Sequence, residues 1–433
     1  MRRSKNTPAV MNTRVSRFSE YEVELLTMQF GGGYEAAEVE TSRWLRSTGV
    51  RGAIRFWWRA LQAAKVANAK ELRDREDAIF GAAWASDRDA GAGRVRVAIE
   101  QKGETSLRNA PGQAEVTNGA YFPATTGRTA RLLAPGAKAI LSVWVCPGAE
   151  DGSGRTPLTD EKWSEVCQAV QAYLLFGGSG SRTRCTAGAL VAKATSGTPR
   201  LPETREELIS FMSRVDKGDT KLDVFALGRH ELYVGAGFTS AGRAQENILE
   251  VWQELRQWRD KPGKRWMQRT QWPEPDAIRW LEKTHARWES GIQHAPEERN
   301  RGLAPRAHLG LPMQVKFKDT KVGDVDRAPQ KAARGRLQAP DPSKMTLVPE
   351  GNERYASPII TTVLELDGQY KPVVLITPSR LAHEGSVTEA KRGWKLDPGD
   401  PEDPALDRGA FTRLRHLLET NAFTKISNTW QSS

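Results

Sequence analysis

The chain has 433 residues, 38% of them hydrophobic, and carries 64 Lys plus Arg against 53 Asp plus Glu, a formal net charge of +11. That length supports two or three packed units, and the basic balance favours a polyanionic partner, RNA or DNA first. Three widely spaced cysteines, Cys146, Cys167 and Cys185, indicate neither a disulfide framework nor a zinc ribbon, and no run approaches the roughly 20 apolar residues of a membrane span or opens the chain as a signal peptide, so a soluble cytoplasmic protein is expected.

In chain order, residues 1–19 read as a polar, basic tail, and residues 22–30 as a strand ended by Gly31-Gly32-Gly33. A helix is predicted over about 50–68, with Thr48 as its N-cap, then a strand over 94–100 and a long polar loop over 101–128. A strand over 138–145, a helix over 160–175 and a closing strand over 188–193 follow. The order strand, helix, strand, strand, helix, strand is the split β-α-β-β-α-β arrangement of the ferredoxin-like fold, shared with RRM modules. The first unit is thus expected over 20–195 and a connector with a short helix over 196–224.

A second unit, more degenerate, is expected over 225–433. Strands are predicted over 229–238, 311–317, 359–366 and 373–376, and helices over 245–259 and 410–419. Two Pro- and charge-rich insertions, about 318–345 and 385–408, interrupt it as long loops. The fold class expected is therefore α+β, with tandem ferredoxin-like, RRM-like units and long inserted loops.

The segment from Arg51 to Leu61 joins Arg51, Arg55 and Arg59 at a four-residue spacing to the aromatic run Phe56-Trp57-Trp58. A step of four returns a helical side chain to nearly the same face, so the arginines form one stripe, while Ile54, Trp57, Leu61 and Ala64 point to an adjacent one. Trp58 falls on the border. Guanidinium groups beside aromatic planes suit a nucleic-acid backbone and unstacked bases. The same pattern also fits an amphipathic helix with a solvated basic face and a tryptophan-rich buried one.

The stretch Phe176-Gly177-Gly178-Ser179-Gly180-Ser181-Arg182-Thr183-Arg184 places three glycines in four residues ahead of two arginines. Such a loop lets the backbone approach a ligand and can form an anion-binding nest, with Ser179, Ser181 and Thr183 as hydroxyl donors. It lacks the Gly-Lys-Ser/Thr ending of a P-loop, and its glycines end a helix rather than begin one. A helix C-cap followed by a turn would use the first glycine alone.

With those residues in view, the chain resembles the RAMP superfamily. The block Gly49 to Ala60 is similar to the signature helix of the subunit that stands first in the type III-B (Cmr) CRISPR effector. Further blocks match in order: Ile79-Phe80-Gly81, Phe176 to Arg184, Leu309-Gly310-Leu311-Pro312 and Arg354-Tyr355-Ala356-Ser357-Pro358. The chain departs from the family where Cys185-Thr186-Ala187-Gly188 follows Arg184, lacking one arginine and one glycine of the usual loop. The resemblance implies an RNA-binding subunit that caps the complex near the 3′ end of the guide RNA and helps capture complementary target RNA. Its partners would be guide RNA, target RNA and the other effector subunits, with nuclease activity residing in those other subunits. RNA-binding residues are expected at Arg51, Arg55, Trp58, Arg59, Gly177, Gly178, Ser179, Gly180, Ser181, Arg182 and Arg184.

No independent catalytic signal accompanies them. The histidines His230, His285, His294, His308, His383 and His416 form no metal-ligand pattern, and neither metal nor cofactor is expected. Two alternatives stay open. One is a metal-independent endoribonuclease of the same superfamily that processes guide RNA, with His230 or His383 as acid or base; the other is a structural RNA-binding protein outside CRISPR defence.

Overall fold

In β1 (Phe18–Leu25), Tyr21, Val23 and Leu25 alternate inward and Glu20, Glu22 and Glu24 outward, the two-residue period of a sheet covered on one face. The strand thus starts inside the expected tail and stops before a second short strand, β2 (Gln29–Phe30). The computed structural model describes residues 17–33, 39–82, 91–109, 131–146, 158–195, 197–215, 217–218, 222, 224–258, 270–281, 302–316, 344–379, 381, 387–391, 393–406 and 408–429. The tail through residue 16, most of the 101–128 loop and residues 318–343 of the insertion expected over about 318–345 therefore lie outside the described residues.

Two helices follow, α1 (Ser47–Gln62) and α2 (Ala69–Phe80). The N-cap position of α1 is Arg46, without a side-chain cap, and Thr48 sits inside the first turn rather than capping it. The second helix has no counterpart among the predicted elements. Asn68 caps it, its Oδ1 accepting from Glu71 N, while Glu71 accepts from Ala67 N in return. Then come β3 (Val95–Lys102), β4 (Lys138–Val145), α3 (Asp160–Phe176) and β5 (Leu190–Ala194). These four longer strands pair in the order β3-β4-β1-β5, every pair antiparallel, with Tyr21 opposite both Leu141 and Ala194. Numbered along the chain and read from β5, the order is 4-1-3-2, with α1 after the first strand and α3 after the third.

The remaining elements are α4 (Arg205–Ser213), β6 (Glu231–Val234), α5 (Ala241–Gln257), α6 (Glu274–Leu281), β7 (Met313–Lys316), β8 (Lys344–Pro349), β9 (Ile359–Leu366), β10 (Gln369–Ile376), β11 (Val387–Glu389), β12 (Lys395–Leu396), α7 (Ala410–Thr420) and β13 (Thr424–Asn428). A second four-stranded sheet runs β9-β10-β6-β13, again 4-1-3-2 when read from β13. A third, antiparallel sheet runs β7-β8-β11-β12. The stretch expected as an inserted loop over 385–408 thus supplies β11 and β12, because Val387 and Leu396 bury their side chains there.

Contacts group the chain into two compact units at places other than the boundary expected near residue 225. Unit 1 takes Met1–Leu249, Ile360–Thr377 and Thr424–Ser433; unit 2 takes Glu250–Ile359 and Pro378–Phe423. The first two sheets lie in unit 1, apart from the leading residue of β9. They share one hydrophobic core that runs from Tyr21, Ile54, Trp57 and Tyr173 to Leu232 and Val373. The third sheet belongs to unit 2, with its own core around Ile278, Leu347 and Val387. Among the described residues, no helix is long and apolar enough to cross a membrane.

Candidate nucleic-acid interface

The arginine stripe exists, and it faces α2. Arg55 Nε and Arg59 Nη1 both donate to Glu76 Oε1 at 2.6 Å, and Arg55 Nη2 lies 4.0 Å from Asp77 Oδ1. Arg51 donates to the Phe80 carbonyl at the end of α2. Burial, then the charges of Arg55 and Arg96, lower the Arg51 guanidinium below its ordinary range. A cation at the C-terminus of a helix also meets the negative end of its dipole, so Arg51 fastens α2 to α1. Arg55 and Arg59 keep 30% and 36% of their side chains exposed, whereas Arg51 spends its Nη2 on the Phe80 carbonyl.

Trp58 does not face solvent. It is 1% exposed, stacks edge-to-face on Phe80 at 6.2 Å, and donates its indole N–H to Glu165 Oε2 at 3.1 Å. Its border position on the helical wheel is covered from one side by α2 and from the other by α3, so stacking on a base is removed from its roles. Trp57 is likewise buried. The half-exposed aromatic of the run is Phe56, and aromatic order alone could not single it out.

The glycine-rich loop packs tightly, against protein. A Cβ on Gly177 would collide with the Tyr173 carbonyl, one on Gly178 with the Gly188 carbonyl, and one on Gly188 (φ +69°) with the Ser179 carbonyl. The close approach expected toward a ligand is therefore made to the chain's own backbone. Ser179 is buried and donates from Oγ to the Trp44 carbonyl at 2.9 Å, which also accepts from Gln29 Nε2 at 3.2 Å. Ser181 N donates to the Phe30 carbonyl at 2.6 Å, and Arg46 donates to the Gly32 carbonyl. Gly31-Gly32, the loop and the residues leading into α1 are thereby tied together. Gly180, Ser181 and Arg182 remain exposed. Arg182 lies over the Phe30 ring, and Arg184 over both Phe56 at 5.6 Å and Phe225 at 5.2 Å.

Stripe and loop thus border one helix face. Successive residues of α1 turn by about 100°, which puts Gly52 between Arg55 and Phe56, with Gly49 two turns before Phe56 on nearly the same side. A Cβ at either glycine would meet nothing within 4 Å. One edge of this open face carries Arg55 and Arg59; the other carries Phe56 under Arg184. The exposed Arg46, which no motif marks, stands at its N-terminal end. The outward face of β1 has the opposite character, with three carboxylates partly met by Lys138, whose Nζ is 3.4 Å from Glu24 Oε2.

Residues 22–191 match the family model of the RAMP superfamily. No curated protein matches the sequence. Among solved structures, the chain is similar to the crystal structure of Cmr1 from Pyrococcus furiosus in its apo form, with 13% identity and a TM-score of 0.50, over 95% of this chain and 99% of that one. A chain in the cryo-EM structure of the type III-B Cmr-beta complex bound to cognate target RNA is similar at 9% identity and a TM-score of 0.45, over 93% and 100%. The likeness to Cmr1 is one of fold, a mixed α/β architecture with several antiparallel sheets.

The other blocks that carried the sequence resemblance have structural work. Phe80 of Ile79-Phe80-Gly81 takes the bond from Arg51 and the edge of Trp58. In unit 2, Leu311 and Tyr355 exchange backbone hydrogen bonds at 2.8 and 3.1 Å, joining the Leu309–Pro312 and Arg354–Pro358 blocks. Two arginines of that unit are engaged internally: Arg306 with the buried Glu274 at 3.0 Å, and Arg413 over the Trp258 ring at 4.5 Å.

Of the two histidines considered for acid–base work, His383 lies outside the described residues. His230 is 0% exposed, with Nδ1 2.9 Å from the Leu227 carbonyl and Nε2 2.8 Å from Ser427 Oγ. Burial lowers its pKa. A ring so enclosed does not reach a substrate. His308 is equally buried, between Ser379 Oγ at 2.6 Å and two backbone carbonyls, while His416 is exposed.

Proposed function

We propose that this chain is an RNA-binding subunit of a type III-B CRISPR ribonucleoprotein, built on tandem ferredoxin-like units. It would cap the effector near the 3′ end of the guide RNA and help capture target RNA in the cytoplasm beside other RAMP subunits. The observation that carries the RNA reading is the open face of α1, bordered by Arg55 and Arg59 on one side and by Phe56 and Arg184 on the other. Two cationic borders along a smooth floor suit a sugar-phosphate backbone, which positions without specifying sequence. The twice-repeated 4-1-3-2 strand order, the RAMP family match and the fold likeness to Cmr1 support the place in the effector. The burial of His230 counts against the nuclease alternative, since a general base must come within hydrogen-bond reach of the proton it takes.

The direct test is R55A/R59A. Losing two phosphate contacts should weaken single-stranded RNA binding about tenfold near physiological salt and lower the slope of log K against log salt by roughly 1.4. An unchanged affinity and slope would remove the stripe from the interface. Co-purification of a guide RNA and further RAMP subunits with the tagged chain is expected; their absence would point to an RNA-binding protein outside CRISPR defence.

A further inference from the structure

One oxygen holds two members of the stripe. Glu76 Oε1 accepts from Arg55 Nε and from Arg59 Nη1, each at 2.6 Å, and the Glu76 side chain is 6% exposed. Helix α2 does not need this carboxylate to dock. Leu72, Ile79 and Phe80 bury its apolar side, Phe80 meets Trp58, and Arg51 holds its last carbonyl. What the carboxylate does is particular to the arginines. It lies between two like charges one helical turn apart, damping their repulsion, and it fixes the direction of both guanidinium planes.

We propose that Glu76 is the positioning residue of the RNA contact, orienting Arg55 and Arg59 before RNA arrives even though its own charge opposes a polyanion. The proposal rests on the RNA reading of the stripe given above. A free arginine gives up rotamer freedom when it grips a phosphate; here that freedom is already lost in the folded protein. Each guanidinium has five N–H donors; the Glu76 bond uses one on each, and Arg55 Nη2 also lies 4.0 Å from Asp77 Oδ1. The remaining donors belong to side chains about one-third exposed, so a phosphate can meet them without displacing Glu76.

Charge and geometry predict opposite signs, and two variants separate them. E76D keeps the charge but withdraws the oxygen by one methylene, so it no longer spans both arginines. E76Q keeps an acceptor oxygen in place and removes the charge. Fluorescence anisotropy of the full chain with a labelled single-stranded RNA, across a salt series, reads both. Positioning predicts that E76D loses about fivefold in affinity with an unchanged salt slope, and that E76Q stays within about twofold. Melting curves should show both variants folded with a cooperative transition a few degrees below the parent's, since α2 docks through other groups while the paired arginines lose part of their partner. The proposal is overturned if E76D binds like the parent, or if E76Q binds more tightly with a steeper slope, as bare charge would have it. If R55A/R59A also leaves binding unchanged, the RNA reading itself falls; if it weakens binding while E76D does not, only the role of Glu76 is lost.

Discussion

On α1, the arginines are held by a carboxylate and a carbonyl; on the loop after α3, they lie over aromatic rings. A carboxylate sets the direction of a guanidinium and cancels part of its charge. A ring face supports the guanidinium plane without itself supplying a formal counter-charge. The two regions therefore bring different things to one open helix face: donors oriented by a carboxylate along the Arg55–Arg59 border, and a guanidinium laid on ring faces along the Arg184 border. A basic stripe in a sequence does not by itself tell which kind it is.

The largest expected effect comes from breaking the loop side. G188A places a Cβ against the Ser179 carbonyl at a backbone φ of +69°, so it should cost about 2–4 kcal/mol of stability in chemical denaturation. Displacement of residues 177–184 should also lower RNA affinity at least as much as R55A/R59A does. Loss of stability with unchanged RNA affinity would assign the loop to the fold alone, leaving the stripe as the interface.

A smaller effect is expected on the border formed by Phe56 and Arg184. Phe56 packs at 5.3 Å from both Trp57 and Phe225 and lies under Arg184. F56A removes that support from a half-buried position, and about 1–2 kcal/mol of stability should go with it. RNA affinity should fall about threefold, through Arg184 losing its platform. In a double-mutant cycle with R184A the two losses should not add. Full additivity would mean that Phe56 and the loop act separately.

What the sequence made legible follows from period and spacing. The alternation in β1, the four-residue arginine step and the glycines after α3 each depend on local geometry, and the strands and helices that carry them stand close to where they are expected. What stayed illegible is contact across the chain. Glu76 lies on a helix whose only local marks are the Asn68–Glu71 cap and the spacing of Leu72, Ile79 and Phe80. Without that helix, the arginines read as solvated and Trp58 as a border residue. The loop shows the same limit: the sequence displays glycines, but not that Gly188, the Trp44 carbonyl and Phe30 are what they approach.

Trp58 gives the smallest effect on RNA and the sharpest separation of fold from function. W58F should leave RNA affinity within about twofold, because a buried ring meets no ligand and the arginine anchors are untouched. Its effect is instead on Glu165. Burial raises the Glu165 pKa, and the indole N–H opposes that rise; deleting the N–H lets the pKa climb further. A carboxyl group raised in the folded state contributes stability that is whole below its unfolded pKa and is lost as pH rises through the folded value. The stability deficit of W58F should accordingly be greatest at neutral pH, where the hydrogen-bond part is about 1 kcal/mol, and should shrink as pH falls toward about 4.3, the ordinary glutamate value. The part due to lost ring volume should stay constant across the series. Denaturation midpoints at several pH values read this directly: a pH-independent deficit would detach Glu165 from Trp58, and a weakened RNA affinity at constant stability would return the ring to the interface.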